Sequence, residues 1–103
     1  MYITKTDYLD FDGVDLSIEL PDNDNAKGKV ERFLREVEDW TLNYCRRYGF
    51  NESLINSRNI DRLKRGLLYQ VRHFLDKGRD NKLDYNTWSE FHIGGLVRVI
   101  TGV

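Results

Sequence analysis

The sequence has one cysteine, Cys45, one proline, Pro21, and no apolar run approaching the ~20 residues that span a membrane. A single cysteine excludes an internal disulfide and gives no reason to expect an oxidising compartment. Residues 1–5 lack the charged-then-apolar order of a signal peptide. These absences predict a chain that is made in the cytosol and does not enter a membrane.

Neither sign of charge dominates, since 16 Lys and Arg face 17 Asp and Glu. Near neutrality argues against a dedicated binder of naked nucleic acid, because such binding comes mainly from neutralising phosphates. The charge is nonetheless uneven. Residues 1–25 hold one lysine and seven carboxylates, a net charge of −6, and residues 26–103 hold fifteen basic and ten acidic residues, a net charge of +5. We expect these two regions to pair, either within one molecule or between copies.

The 103 residues suffice for one domain with its own hydrophobic core. We divide it into an acidic N-terminal arm (1–25), a helical core (26–78) and an extended C-terminal tail (79–103). Within the core, residues 26–48 and 59–78 carry apolar side chains at helical spacing. Because the connection between them is short, we predict two long antiparallel helices in a mainly α, small helical bundle.

The N-terminal arm is predicted to contain one short extended segment. Residues 14–20 alternate apolar and polar side chains ahead of Pro21, which is the period of a strand. Before them, Thr4 or Thr6 is suited to cap a single helical turn. Residues 52–56 are expected to form another short turn of helix between the two long ones.

The C-terminal tail is also predicted to be extended. Residues 91–93 and 96–100 are rich in β-branched and aromatic side chains and flank Gly94 and Gly95, which suit a hairpin turn. A lone hairpin is marginal in water. It would gain by adding to another strand, either residues 14–20 or a strand of a neighbouring copy.

No pattern in the sequence predicts catalysis or a bound metal. The acidic run from Asp10 to Asp15 resembles a calcium loop, but its glycine comes fourth where an EF-hand loop needs it sixth. His73 and His92 lack a Cys or Asp at ligand or dyad spacing. Cys45 lies on an apolar helix face, which favours an inert buried thiol. We therefore expect neither an enzyme nor a cofactor.

Basic residues on the two long helices allow three interpretations. They are Arg46, Arg47, Arg62, Lys64, Arg65 and Arg72. A solvated helix face is the simplest reading, docking onto an acidic protein surface would look the same, and a nucleic-acid interface is the third. The last of these defines an alternative function, a small helical nucleic-acid-binding regulator or accessory factor.

The tail carries more large apolar side chains than a segment after a polar linker usually does. They are Trp88, Phe91, Ile93, Leu96, Val97, Val99 and Ile100. Core packing could absorb some of them. Their number in so short a segment favours a contact with another subunit.

The sequence also resembles a known family. Residues 67–78, LLYQVRHFLDKG, and residues 88–99, WSEFHIGGLVRV, are similar to segments of the small head-tail connector (adaptor or head-completion) proteins of tailed bacteriophages with long non-contractile tails. The family's helix carries a glutamine, an aromatic or aliphatic cluster and a terminal glycine. Gln70, Phe74, Leu75 and Gly78 stand in those places. The openings YITKTDYLDFDGVDL and KVERFLREVEDW also resemble the family's N-terminal turn and first long helix.

This resemblance implies a structural protein of the virion, present in the host cytoplasm during assembly. Copies would form a homo-oligomeric ring below the portal protein, contact the next head-completion or tail protein, and let DNA pass without sequence-specific binding. A closed ring needs two different faces on each copy. For those faces we predict the seven apolar tail residues named above together with Asp10, Asp12, Asp15, Arg62 and Arg65.

Overall fold

A computed structural model describes residues 1–46 and 52–77 and shows a mainly helical chain, as predicted. Helix α1 spans Lys5–Asp12, α2 Leu16–Glu19, α3 Lys29–Arg46 and α4 Ile60–Lys77, and a turn of 3-10 helix spans Glu52–Leu54. Within these described ranges no strand forms. The predicted extended tail lies outside them.

The two long helices, α3 and α4, occupy the segments in which the sequence places them, and each has 18 residues. Helix α3 begins at Lys29, three residues after the predicted start. The delay has a local cause, because Gly28 has a φ of 69° in the left-handed region. The Asp22 carboxylate accepts the backbone N–H groups of Gly28 and Lys29, both at 3.1 Å, and so caps the helix.

Helix α1 is longer than the single turn that the sequence suggests. Thr4 caps it, since its hydroxyl accepts the N–H of Asp7 at 3.2 Å and the Asp7 carboxylate accepts the N–H of Thr4 at 2.9 Å. This reciprocal capping box satisfies two backbone donors that a helix start leaves free. Gly13, with a φ of 71°, ends the helix by donating its N–H to the carbonyl of Leu9.

The predicted extended segment at residues 14–20 is wrong, because its centre is helix α2. Asp15 caps this helix by accepting the N–H of Ser17 at 2.9 Å. Leu16 is fully buried, whereas Ile18 remains 75% exposed, so the segment does not bury the alternating face that a strand would. In a segment this short, the hydrogen bond that caps the helix at Asp15 favours a helical turn more than the alternating apolar pattern favours a strand.

Residues from all four helices and from the start of the chain form one core. The N-terminal arm takes part in it, since Ile3, Tyr8 and Leu16 are at most 1% exposed. Helices α3 and α4 pack on each other, and α1 packs on both. Within the part of the chain that the structure describes, the N-terminal arm therefore contributes to the same hydrophobic core as the long helices.

An aromatic group joins α3 to α4. The Trp40 ring stacks on Tyr44 with centroids 5.5 Å apart and meets Phe74 edge-on, also at 5.5 Å. Phe74 is buried and Trp40 is half-buried. Offset-stacked and edge-on arrangements are the favoured geometries for aromatic pairs, so this group adds to the packing of the two helices.

Three polar side chains lie within the apolar stripes of α3 and α4. Glu38 is 3% exposed, and Thr41 and Gln70 are fully buried. Oε2 of Glu38, Oγ1 of Thr41 and both amide atoms of Gln70 have no hydrogen-bond partner. Buried polar atoms are normally paired, so each of these atoms is a site of unfavourable free energy in the core.

Candidate functional site

An ion pair joins α1 to α4, and a buried phenol on α1 binds the same carboxylate. Arg72 Nη2 donates to Oδ1 of Asp12 at 2.7 Å, and the hydroxyl of Tyr8 donates to Oδ2 of the same carboxylate at 2.7 Å. Both oxygens of Asp12 thus have a donor. Hydrogen bonds between charged groups are shorter and stronger than neutral ones, and the Arg72 bond to this carboxylate, at 2.7 Å, is of that kind.

Two aromatic rings lie beside the guanidinium of Arg72. Its Cζ lies 4.8 Å from the centroid of Phe11 and 5.6 Å from that of Tyr69. The two rings meet edge-on with centroids 5.0 Å apart. Arg72, Asp12, Tyr8, Phe11 and Tyr69 form what we call the α1–α4 junction.

The junction shifts the ionisation of its acids in opposite directions. The hydrogen bond from Tyr8 and then the bond and charge of Arg72 lower the pKa of Asp12, and burial offsets part of this effect. Burial, the hydrogen bond to Asp12 and the charge of that carboxylate raise the pKa of Tyr8. Asp12 is therefore ionised and Tyr8 protonated at neutral pH, as their hydrogen bonds require.

We expect the Asp12–Arg72 pair to contribute about 0.2–1 kcal/mol to the free energy of unfolding, since its side chains are 25% and 39% exposed. The measurement is a double-mutant cycle of Asp12→Asn and Arg72→Met by urea unfolding. Because the pKa of Asp12 is lowered in the fold, this stability is present above the ordinary value of 3.8 and is lost as the pH falls through the lower folded value.

The chain offers a matched control for this cycle in Arg46 and Glu52. Their contact has the same N–O distance, 2.7 Å, but side chains that are 47% and 51% exposed. A more solvated pair should couple more weakly. A coupling energy for Asp12–Arg72 no larger than that for Arg46–Glu52 would show that the junction pair stabilises the fold no more than an exposed surface pair does.

The structure shows pairing of the acidic and basic regions within one molecule. Besides Asp12 with Arg72, Asp7 on α1 lies 3.7 Å from Nζ of Lys64 on α4. Both pairs join the same two helices. Pairing between copies, the other possibility, has to use charges that these two contacts leave available.

The five charged interface candidates within the described residues have different surroundings. Asp10, Arg62 and Arg65 are exposed. Asp12 is part of the junction, and Asp15 accepts two hydrogen bonds from Ser17, which lower the pKa of the Asp15 carboxyl. The structure thus gives Asp12 a contact between α1 and α4 and gives Asp15 a helix-capping contact. The seven apolar tail candidates lie outside the described residues.

The basic residues of the alternative function are partly engaged with acids. Arg46 pairs with Glu52, and Lys64 pairs with Asp7. Arg47 lies outside the described residues. A cation already paired with a carboxylate adds less to phosphate binding than a free one, so these contacts weaken the case for a nucleic-acid surface.

Neither a reactive thiol nor a metal site is found among the described residues. Cys45 is 2% exposed, as predicted, and burial raises its pKa to about 12, so it is a neutral thiol at physiological pH. Residues 1–46 and 52–77 contain no group of three His, Cys, Asp or Glu placed to hold a metal ion. In the same ranges no helix is long and apolar enough to cross a membrane.

Sequence reasoning missed one titratable group, Glu38. The signal was present, because Glu38 lies four residues after Leu34 and four before Leu42, on the apolar stripe of α3. It borders a groove of about 460 Å³ between the start of the chain and α3. Burial raises the pKa of Glu38, and backbone N–H groups of Tyr2 and Ile3 offset part of that effect.

No family model, curated protein or solved structure matches the chain.

Proposed function

We propose that this protein is a structural subunit of a phage virion, a head-tail connector that forms a ring below the portal, extends the DNA channel and joins head to tail. The observation that carries the proposal is the similarity of residues 67–78 and 88–99 to that family. An assembly role also suits a chain in which no converging catalytic set is evident from sequence. Its partners would be other copies of itself, the portal protein and the next head-completion or tail protein.

The finer architecture belongs to the same proposal. We take α3 and α4 to run antiparallel, which agrees with their mutual packing and the short connection between them. We take the tail to form an extended hairpin that adds to a neighbouring copy. Helix α4 ends at Lys77, two residues before the tail, so a rigid helix would set the point from which the tail reaches a neighbour.

A ring requires each copy to present two different, complementary faces. Asp10 on α1 and Arg62 on α4 are exposed and of opposite charge. They are the candidates for polar contacts between copies, because Asp12 already binds Arg72 within the molecule. Charges at the rim of an interface steer association, and the apolar tail would supply most of the affinity.

The deciding experiment mixes the purified protein with portal-bearing capsids and examines them by electron microscopy and native mass spectrometry. We expect a ring at the portal vertex. Absence of both ring and capsid binding over a wide concentration range would reject the proposal. DNA affinity at micromolar protein that falls steeply with salt would instead support the nucleic-acid-binding regulator.

A further inference from the structure

The start of the chain docks on α3 through one side chain. The backbone N–H of Tyr2 donates to Oε1 of Glu38, and the N–H of Ile3 stabilises the same carboxylate. Ile3 is fully buried, whereas Met1 is 65% exposed. Residues 1–3, which we call the N-terminal strap, are therefore held by the apolar Ile3 side chain and the Glu38 carboxyl.

This carboxyl is an unusual anchor because it is only half satisfied. Glu38 is 3% exposed, and its second oxygen, Oε2, is buried without a hydrogen-bond partner. Ionising the carboxyl places charge on an oxygen that is buried and has no hydrogen-bond partner, which costs free energy. Protonation removes that charge and leaves Oε1 able to accept the N–H of Tyr2.

The charges facing Glu38 do not compensate for its burial. Those around the groove are the Met1 amine and Arg35, Asp39, Arg46 and Glu52. Arg46 is bound to Glu52 at 2.7 Å, so these two side chains largely neutralise each other. Asp39 repels a negative Glu38 and the Met1 amine attracts it, and these effects oppose each other.

We propose that Glu38 is a proton-operated anchor for the N-terminal strap: protonation tightens the docking of residues 1–3 on α3, and ionisation loosens it. This inference rests on the described residues and is independent of the proposed function. It makes docking of the strap, and with it the accessible surface of α3, depend on pH.

The direction follows from linkage between proton binding and docking. Burial raises the pKa of Glu38 above its solvated value of 4.5. Met1 and Tyr2 line the groove that Glu38 borders, so we expect release of the strap to expose the carboxyl to solvent and to lower its pKa. The docked state therefore binds the proton more tightly. The added stability of docking is fully present below pH 4.5 and is lost as the pH rises through the raised value of the docked state.

The test measures amide hydrogen exchange of Tyr2 and Ile3 by NMR, corrected for intrinsic rates, between neutral pH and about pH 5. We expect protection to rise on acidification, by up to about tenfold for each unit by which the Glu38 pKa exceeds its solvated value. Direct observation of the Glu38 side-chain carboxyl carbon should show titration above 4.5. Titration at or below that value would overturn the proposal.

Two variants assign the effect to one residue. Glu38→Gln keeps an acceptor for the Tyr2 N–H but does not titrate, so we expect strap protection that does not change with pH. Glu36→Gln makes the same change at an exposed position of α3 that does not border the groove, and should retain the wild-type pH dependence. Persistence of the pH dependence in Glu38→Gln, or its loss in Glu36→Gln, would refute the anchor. Circular dichroism confirms that both variants are folded.

Discussion

Replacing Gln70 with methionine is expected to raise the free energy of unfolding by about 1–3 kcal/mol. Gln70 is fully buried, and its amide nitrogen and oxygen both lack a partner. An unsatisfied buried donor or acceptor costs the desolvation free energy of that group. Methionine is also unbranched and fills similar space, so the change removes the polar atoms and largely keeps the packing.

The measurement is urea or thermal unfolding of Gln70→Met beside two reference variants. Arg62→Met makes a similar change at an exposed position of the same helix, and should alter stability by no more than about 0.5 kcal/mol. Gln70→Ala leaves a cavity and should be less stable than Gln70→Met. A loss of more than about 1 kcal/mol in Gln70→Met would show that the amide is hydrogen-bonded in solution.

Deleting residues 86–103 is expected to abolish assembly while leaving α1 to α4 folded. The buried cluster of the described residues runs from Ile3 to Phe74, and the deletion starts beyond it. It removes all seven apolar residues that the sequence assigns to the subunit contact. Circular dichroism and cooperative unfolding measure the fold, and binding to portal-bearing capsids measures assembly.

A shorter deletion provides the control for this experiment. Removing residues 101–103 shortens the tail without taking any of the seven apolar contact candidates, so assembly should survive. Should the longer deletion unfold the protein, the tail is part of the core and the interface assignment is wrong. Should the longer deletion remain folded and still assemble, the contact lies elsewhere, and Asp10 and Arg62 become the next residues to test.

The long helices could be predicted because each one repeats its apolar spacing over several turns. In α4, Leu63, Leu67, Val71 and Phe74 repeat the helical spacing over several turns, and all four are buried. Helix α2 has only four residues, so a single favourable cap at Asp15 decides its conformation. Periodicity carries little information over such a length, and the alternating pattern of residues 14–20 was misleading for that reason.

The polar contacts were less predictable than the helices. Overall charge predicted that acidic and basic regions would meet, but it did not predict that Asp12 would bind Arg72, sixty residues further along the chain. That choice depends on how α1 packs across α4, which is a tertiary property. Glu38 differs, since its place on the apolar stripe of α3 is readable from the sequence, although charged residues are seldom fully buried.

Because Trp40 contacts Tyr44 on α3 and Phe74 on α4, its fluorescence reports on the packing of these two helices. The chain has two tryptophans, and the other, Trp88, is removed by the deletion of residues 86–103. Emission from the truncated protein therefore comes from one indole that touches both long helices. Its wavelength and quenching report whether α3 and α4 remain in contact, so the fold of the truncated chain can be followed without any label before capsids are added.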